Sequence, residues 1–354
     1  VSAKALDVET HGSAEAGRWG SAALLALVAF LVVAAILRVR EALGTLFWFD
    51  EIYTLWVARG TPAQVLQTLR LDVHPPLHYW MVSAWTALGG EGALWQRSLS
   101  IAFGLAAVVF TYLLARDVFG RAAGLLAALL IALHPDHVYY SQEVRSYALL
   151  WFLLLASWWF QWRWLERGGP VHAAGYVASA TLALYTHYIA GSVLAFAGVW
   201  GLIALERDRM KLVRWVGLNL AVGLLFAPQV PTLMEQVGLA TGRHWTRPAD
   251  LAVLSNWARR VSFGSLYLLP LFLGLALLPL FRGDSRRGAR FLWAVAFAPA
   301  LVSWALSTQG IHPFMERYTY YALPAAMALA AGGVFLARGP ARWALAALVV
   351  VIAA

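Results

Sequence analysis

The chain contains no cysteine, which excludes a disulfide framework and any thiolate metal site and leaves the redox compartment undetermined. Charge is scarce, at 13% of residues against about 25% in a soluble domain. No acid lies inside an apolar run: all eight Asp and ten Glu sit in connecting segments or at run ends. That excludes the buried chain of carboxyl groups on which proton-coupled transporters depend. No short-period repeat is present. The arginines are dispersed through short connections rather than gathered on one face, which excludes a nucleic-acid partner despite a net charge of +9. Anionic membrane lipid is the partner this charge suits.

What the chain does have is apolar surface. Of its 354 residues 61% are hydrophobic, and the mean hydropathy is +0.66. Those values describe an all-α polytopic membrane protein. Eighteen Trp, thirteen Tyr and seventeen Phe suit interface belts and apolar cavities. Residues 1–20 are polar, and Ser21–Val39 is too long for a signal-peptide core, so it reads as a retained first span after a cytoplasmic N-terminus. The sequence stops inside the apolar run Ala344–Ala354, so a longer C-terminus is expected.

Leu77–Leu88 decides the topology. It is shorter than the roughly 17–25 residues of a span, and it lies between Pro76 and Gly89-Gly90. Taken as a non-crossing interfacial helix, it leaves about eleven spans of such length. The arginines of 116–121, 163–167, 207–214, 282–290 and 338–342 then all fall on the cytoplasmic side, as positive charge should. Residues 40–94, 136–145, 186–187, 228–262 and 307–317 fall outside, and they hold most of the His, Asp and Glu. All chemistry-bearing segments are thereby expected on one face of a single transmembrane domain, the two largest being 40–94 and 228–262.

Those segments are specific. Asp50-Glu51 follows the first span, where an apolar boundary raises the proton affinity of a carboxylate and suits it to general base work. Asp72-Val73-His74-Pro75-Pro76 places a histidine before a proline helix start. His74 near Asp50 is a sparse ligand set for a divalent cation. Arg97 begins the next span, as Arg317 begins a later one; both suit a phosphate clamp or an ordinary snorkelling position. Ser141–Tyr147 crowds Gln142, Glu143 and Arg145 together, and Tyr185–Tyr188 carries His187 and Tyr188 in a tight turn. In the later loop, Thr232–Leu239 has the pattern of a surface-lying helix. His244 and Trp245 there offer a cation and an aromatic platform for a sugar or lipid head group.

Together these motifs resemble the bacterial members of glycosyltransferase family 39, the group of protein O-mannosyltransferases and aminoarabinose transferases. The residues that carry the resemblance are Asp50-Glu51, Asp72–Leu77, Ser141–Leu150, Tyr185–Tyr188, and Arg317-Tyr318 with Pro324. The resemblance implies the membrane GT-C fold and a bacterial inner-membrane location. It also implies inverting sugar transfer from a polyprenyl-phosphate donor to a lipid, glycan or protein hydroxyl on the extracytoplasmic face. By that similarity Asp50 is the base and Glu51 its partner. His74 stands where aminoarabinose transferases have a metal-binding carboxylate, and Arg97 matches an arginine needed for activity. Arg97, Arg145 and Arg317 are the expected donor-phosphate ligands, and His74, Gln142, Glu143, His187, Tyr188, His244 and Trp245 the expected substrate contacts. The competing readings are a lipid or sugar flippase and a scaffold. A flippase is disfavoured by the absence of intramembrane acids and of paired broken spans. A scaffold has no use for six polar clusters on one face.

Overall fold

The computed structural model describes the backbone of residues 3–240, 249–309 and 314–353, with side chains for 20–238, 249–309 and 314–353. Every regular element among them is helical, as a backbone surrounded by lipid requires, because a helix satisfies its own N–H and C=O groups. In order these are α1 (Ala3–Gly44), α2 (Phe49–Ala58), α3 (Pro62–Leu69), α4 (Leu77–Gly89), α5 (Ala93–Phe119), α6 (Arg121–Leu133) and α7 (Pro135–Tyr140). Then follow α8 (Tyr147–Arg167), α9 (Pro170–Thr186), α10 (Ile189–Ala204), α11 (Arg209–Phe226), α12 (Val230–Ala240) and α13 (Leu251–Val261). The last are α14 (Leu269–Phe281), α15 (Arg286–Leu292), α16 (Ala298–Thr308), α17 (Glu316–Thr319), α18 (Ala322–Phe335) and α19 (Ala341–Ala353). Stretches 20–44, 93–119, 209–238 and 286–308 are long and apolar enough to cross a membrane, and five further apolar helices are shorter.

α18 lies at the centre. Residues 322–334 are all buried, and nearly all are Ala, Gly or Leu. Small side chains let backbones approach, which is how helices associate in lipid without a hydrophobic drive. A Cβ on Gly333 would sit 2.1 Å from the Leu275 carbonyl oxygen of α14. By contrast only 22% of an 18-residue apolar window within 20–44 of α1 is buried, so that window presents most of its apolar surface outward.

One end of the bundle carries a layer of short helices. α2 begins with Glu51 accepting the Trp48 N–H. α3 begins with a capping box, in which Thr61 accepts the Gln64 N–H and Gln64 returns to the Thr61 N–H. α4 starts directly after Pro75-Pro76. Its far end is clamped to α5 by Trp85 and Trp95, stacked 4.6 Å apart, each indole N–H donating to the other residue's carbonyl. At 13 residues, α4 is about 20 Å long and too short to cross.

Thr232–Leu239 is helical as expected, within α12, but no loop separates it from the preceding helix. α11 passes through a 3-10 turn at Ala227–Gln229 directly into α12. Pro228 removes one N–H there, and the tighter turn absorbs the loss without breaking the rod.

Candidate active site

Asp50 and Glu51 are neighbours in sequence but part company in space, because successive helical residues point about 100° apart. Glu51 turns inward. It is 1% exposed and meets Arg97, which is 3% exposed, in a two-pronged ion pair of 3.0 and 2.9 Å. Its oxygens also accept the N–H groups of Val144 and Trp48. The remaining Arg97 donors go to the carbonyls of Ala42, Thr45 and Leu46 and to the Thr45 hydroxyl. Every N–H of Arg97 is therefore committed, and the residue ties the end of α1 to α2 and α5. The expectation that Arg97 grips a donor phosphate is not met by this geometry, nor is Glu51 free to act beside Asp50.

Asp50 turns the other way, into a space walked by two arginines from distant parts of the chain. Its Oδ2 lies 3.8 Å from Arg145 Nη2 and 3.7 Å from Arg317 Nη1. Arg145 also donates to the Thr54 hydroxyl at 3.1 Å and approaches His74 Nε2 at 3.4 Å. His74 Nδ1 faces Asp72, which Tyr79 holds from the other side. The His74 ring meets His187 edge-on at 5.6 Å, and His187 in turn meets Tyr318 at 4.7 Å. Arg317 lies over Trp48 and Tyr318, and Arg145 over Tyr147. Asp50, His74, Arg145, His187 and Arg317 thus converge, spanning 268 positions (50 to 317) of sequence.

The cluster contains unmet polar atoms. Among the described residues, Nε of both Arg145 and Arg317, Nε1 of Trp48, Oη of Tyr147, Nε2 of His187 and Oε2 of Glu143 are buried without a hydrogen-bond partner. Leaving such groups unpaired costs about 1–3 kcal/mol each, so their concentration marks a place built for a polar ligand. His187 Nδ1 accepts the Ile189 N–H, which puts the ring proton on Nε2. Burial, then the neighbours His74, Arg145 and Arg317, hold its pKa well below the ordinary histidine value, so it is a neutral donor. Glu143, 5% exposed, has its pKa pushed up to about 7 by burial, with Glu51 adding to the effect and Tyr139, Arg145 and Arg317 opposing it.

A divalent cation shared by Asp50 and His74 does not fit. Nη2 of Arg145 lies 3.8 Å from the carboxylate and 3.4 Å from the imidazole, occupying with positive charge the place such an ion would take. No group of three or more potential ligands occurs among the described residues.

Gln142 and Tyr188 stand apart from this cluster. Gln142 is buried and lines a separate cleft with residues of α1, α7 and α13. The Tyr188 hydroxyl donates to Gln236 and accepts from Gln229, and Gln236 donates to the carbonyls of Leu69 and His74. That chain ties α12 to the first loop, so Tyr188 braces His74 from behind. His244 and Trp245 lie outside the described residues.

Sequence reasoning passed over Arg38. It is 0% exposed, on α1, and donates to Ser141 Oγ, His137 Nδ1 and the carbonyls of Ala34 and Ala132. It pins the segment that carries Glu143 and Arg145. Gly104 of α5 makes room, since a Cβ there would lie 2.4 Å from Ser141 Cβ. The available signal was an arginine beside the last residue of an apolar run, where only a buried partner set would hold it.

Residues 73–234, under half of the chain, match the family model described as dolichyl-phosphate-mannose-protein mannosyltransferase. No curated protein matches the sequence. Among solved structures, ArnT from Cupriavidus metallidurans in the apo state superposes with a TM-score of 0.66 at 16% identity, covering 94% of this chain and 62% of that one. The Archaeoglobus fulgidus oligosaccharyltransferase, in complex with Zn and sulfate, gives 0.63 at 15%, covering 93% and 52%. Arabinosyltransferase EmbB from Mycobacterium smegmatis gives 0.57 at 18%, covering 89% and 30%. This chain therefore spans less than two thirds of the length of each. The shared architecture is the GT-C membrane fold.

Proposed function

We propose that this chain is a membrane glycosyltransferase that moves a sugar from a polyprenyl-phosphate donor to an acceptor hydroxyl, with Asp50 as general base. The observation that carries the reading is one carboxylate flanked by two arginines whose Nε–H groups are buried and unpaired. A carboxylate takes a proton; two unmet guanidinium donors take an oxyanion, for which arginine's planar fork is suited. A structure of ArnT bound to undecaprenyl phosphate has the same fold, with a TM-score of 0.61. The family matched over residues 73–234 is named for a polyprenyl-type phosphate donor.

The reaction is a single displacement. The acceptor hydroxyl gives its proton to Asp50 as its oxygen attacks the anomeric carbon. The bond from that carbon to the phosphate oxygen breaks, and its electron pair leaves on the lipid phosphate. The anomeric configuration inverts. Arg145 and Arg317 meet the charge that grows on the leaving phosphate, and a preplaced contact of that kind is worth about 2.7–4 kcal/mol in the transition state. His187 Nε2–H offers a hydrogen bond to the sugar, while His74, held between Asp72 and Arg145, positions the Arg145 guanidinium. Arg97 and Glu51 act indirectly, by fixing the first turn of α2 from which Asp50 projects. The distribution of arginines supports an extracytoplasmic site on a bacterial plasma membrane, with a lipid, glycan or protein as acceptor.

The test is Asp50→Asn in purified protein. The variant retains folding and donor binding and loses transfer. Full activity in Asp50→Asn removes Asp50 as the base.

A further inference from the structure

Beside the 139–146 segment lies a cleft of about 600 Å³, between the end of α1, α7 and α13. Leu37 and Leu133 line its apolar part. Its polar groups are Glu41, Asp136, Tyr139, Tyr140, Gln142 and Arg260. Gln142 is 4% exposed, and its Oε1 is buried without a hydrogen-bond partner. A buried amide oxygen left unpaired at the wall of a cleft asks for a donor from a ligand.

The charges select the ligand. Arg260 is the only cation lining the cleft among the described residues, and it stands between two acids: Nη1 binds Asp136 at 2.5 Å, and Nε, without a hydrogen bond, lies 3.8 Å from Glu316. A phosphate there would meet the carboxylates of Glu41 and Asp136 as well, which outnumber the one cation of the lining. Two phenol rings, an amide and carboxylate acceptors suit a neutral polyol, whose hydroxyls donate to the oxygens and whose C–H faces lie on the rings.

The cleft and the Asp50 cluster meet at the 139–146 segment. Gln142 faces the cleft, while Glu143, the next residue, feels the charges of Glu51, Arg145 and Arg317. Arg38 and Gly104 hold that segment in place. We propose that this cleft is a carbohydrate subsite, holding a neutral sugar residue of the acceptor adjacent to the one whose hydroxyl reacts. The proposal rests on the transferase reading and narrows its acceptor to a glycan or glycolipid.

The test uses the full chain in micelles of a detergent without a sugar head group, because an alkyl maltoside would compete for the cleft. Saturation-transfer NMR with maltose, cellobiose and mannobiose reports binding, and donor turnover is measured separately with polyprenyl-phosphate sugars in the absence of acceptor. At least one disaccharide receives saturation, with a Kd in the millimolar range, and Gln142→Leu and Glu41→Ala each weaken it about tenfold, the loss of one or two hydrogen bonds. Glu41→Ala leaves acceptor-independent donor hydrolysis unchanged. Turnover without saturation of any disaccharide overturns the subsite and spares the transferase reading. Saturation without turnover on any donor overturns the transferase reading, and the acceptor role with it. Displacement of the disaccharide by phosphatidylglycerol vesicles makes the cleft a lipid site and overturns the proposal.

Discussion

Replacing Arg97 by Met separates a structural role from a phosphate-binding one. The side chain is 3% exposed and donates to both oxygens of Glu51, to three backbone carbonyls and to the Thr45 hydroxyl. Removing it leaves Glu51 buried and charged, with only the Val144 and Trp48 N–H groups to stabilise it. Breaking one half of a buried pair costs about 3–5 kcal/mol, because the surviving charge is uncompensated. Unfolding of the purified protein by titration with SDS, followed by circular dichroism, should register a loss of that size. The loss should also depend on pH. An unpaired buried carboxylate has a raised pKa, so Arg97→Met holds more protons folded than unfolded and loses stability as pH rises; it is therefore closer to wild type at pH 5 than at pH 8. Adding Glu51→Gln should recover part of the loss, since a neutral amide still accepts the Val144 N–H. Arg97→Lys should behave more like Met than like Arg, because an ammonium cannot reach both carboxylate oxygens and the carbonyls together. An Arg97→Met protein with wild-type unfolding but donor affinity reduced a hundredfold would refute this reasoning and return Arg97 to the phosphate.

Glu143 makes a prediction of opposite practical sign. Its folded pKa is about 7 against an ordinary 4.5, so the native state binds the extra proton between those values and stability falls as pH climbs through them. The penalty is complete above pH 7 at roughly 3 kcal/mol. Glu143→Gln should therefore match wild type near pH 4.5 and exceed it at pH 8 in the same SDS titration; parallel curves across that range would contradict it. Arg38→Met should lower stability by at least about 3 kcal/mol and reduce turnover, by releasing Ser141 and His137 from α1. Gly104→Leu should reproduce the turnover defect by pushing Ser141 away, and normal kinetics in both variants would show that the segment holds itself in place. Arg145→Gln and Arg317→Gln should each reduce kcat by about a hundredfold or more, with a smaller effect on donor KM; an effect on KM alone would mean ground-state binding only.

Much of this organisation is legible in the residues themselves. Hydropathy and the scarcity of charge specify a helical membrane protein, and the sites of Asp50, His74, Arg145, His187 and Arg317 at run boundaries place them at one end of the bundle. Pairing is not legible, because which arginine meets which acid depends on how helices rotate against one another. Arg97 and Arg317 look equivalent in sequence, each opening an apolar run, yet one is sealed beneath α2 and the other faces the cavity. The resemblance made Glu51 the partner of Asp50; as the second and third residues of a helix the two acids diverge. Residues 228–262 read as one outside segment, but α11 continues through the 3-10 turn at Ala227–Gln229 into α12. Arg38 was hidden by its own neighbours, since nothing local reveals that Ser141 and His137 return to it.

In the proposed reaction Asp50, Arg145 and Arg317 act together to displace a lipid phosphate. This is tested most directly by incubating purified protein with a panel of polyprenyl-phosphate sugars and following the products by mass spectrometry and NMR. Polyprenyl phosphate should be released from at least one donor, with the sugar appearing in the inverted anomeric configuration, and none should be released in Asp50→Asn. Retention of configuration, or equal turnover in wild type and Asp50→Asn, would contradict it.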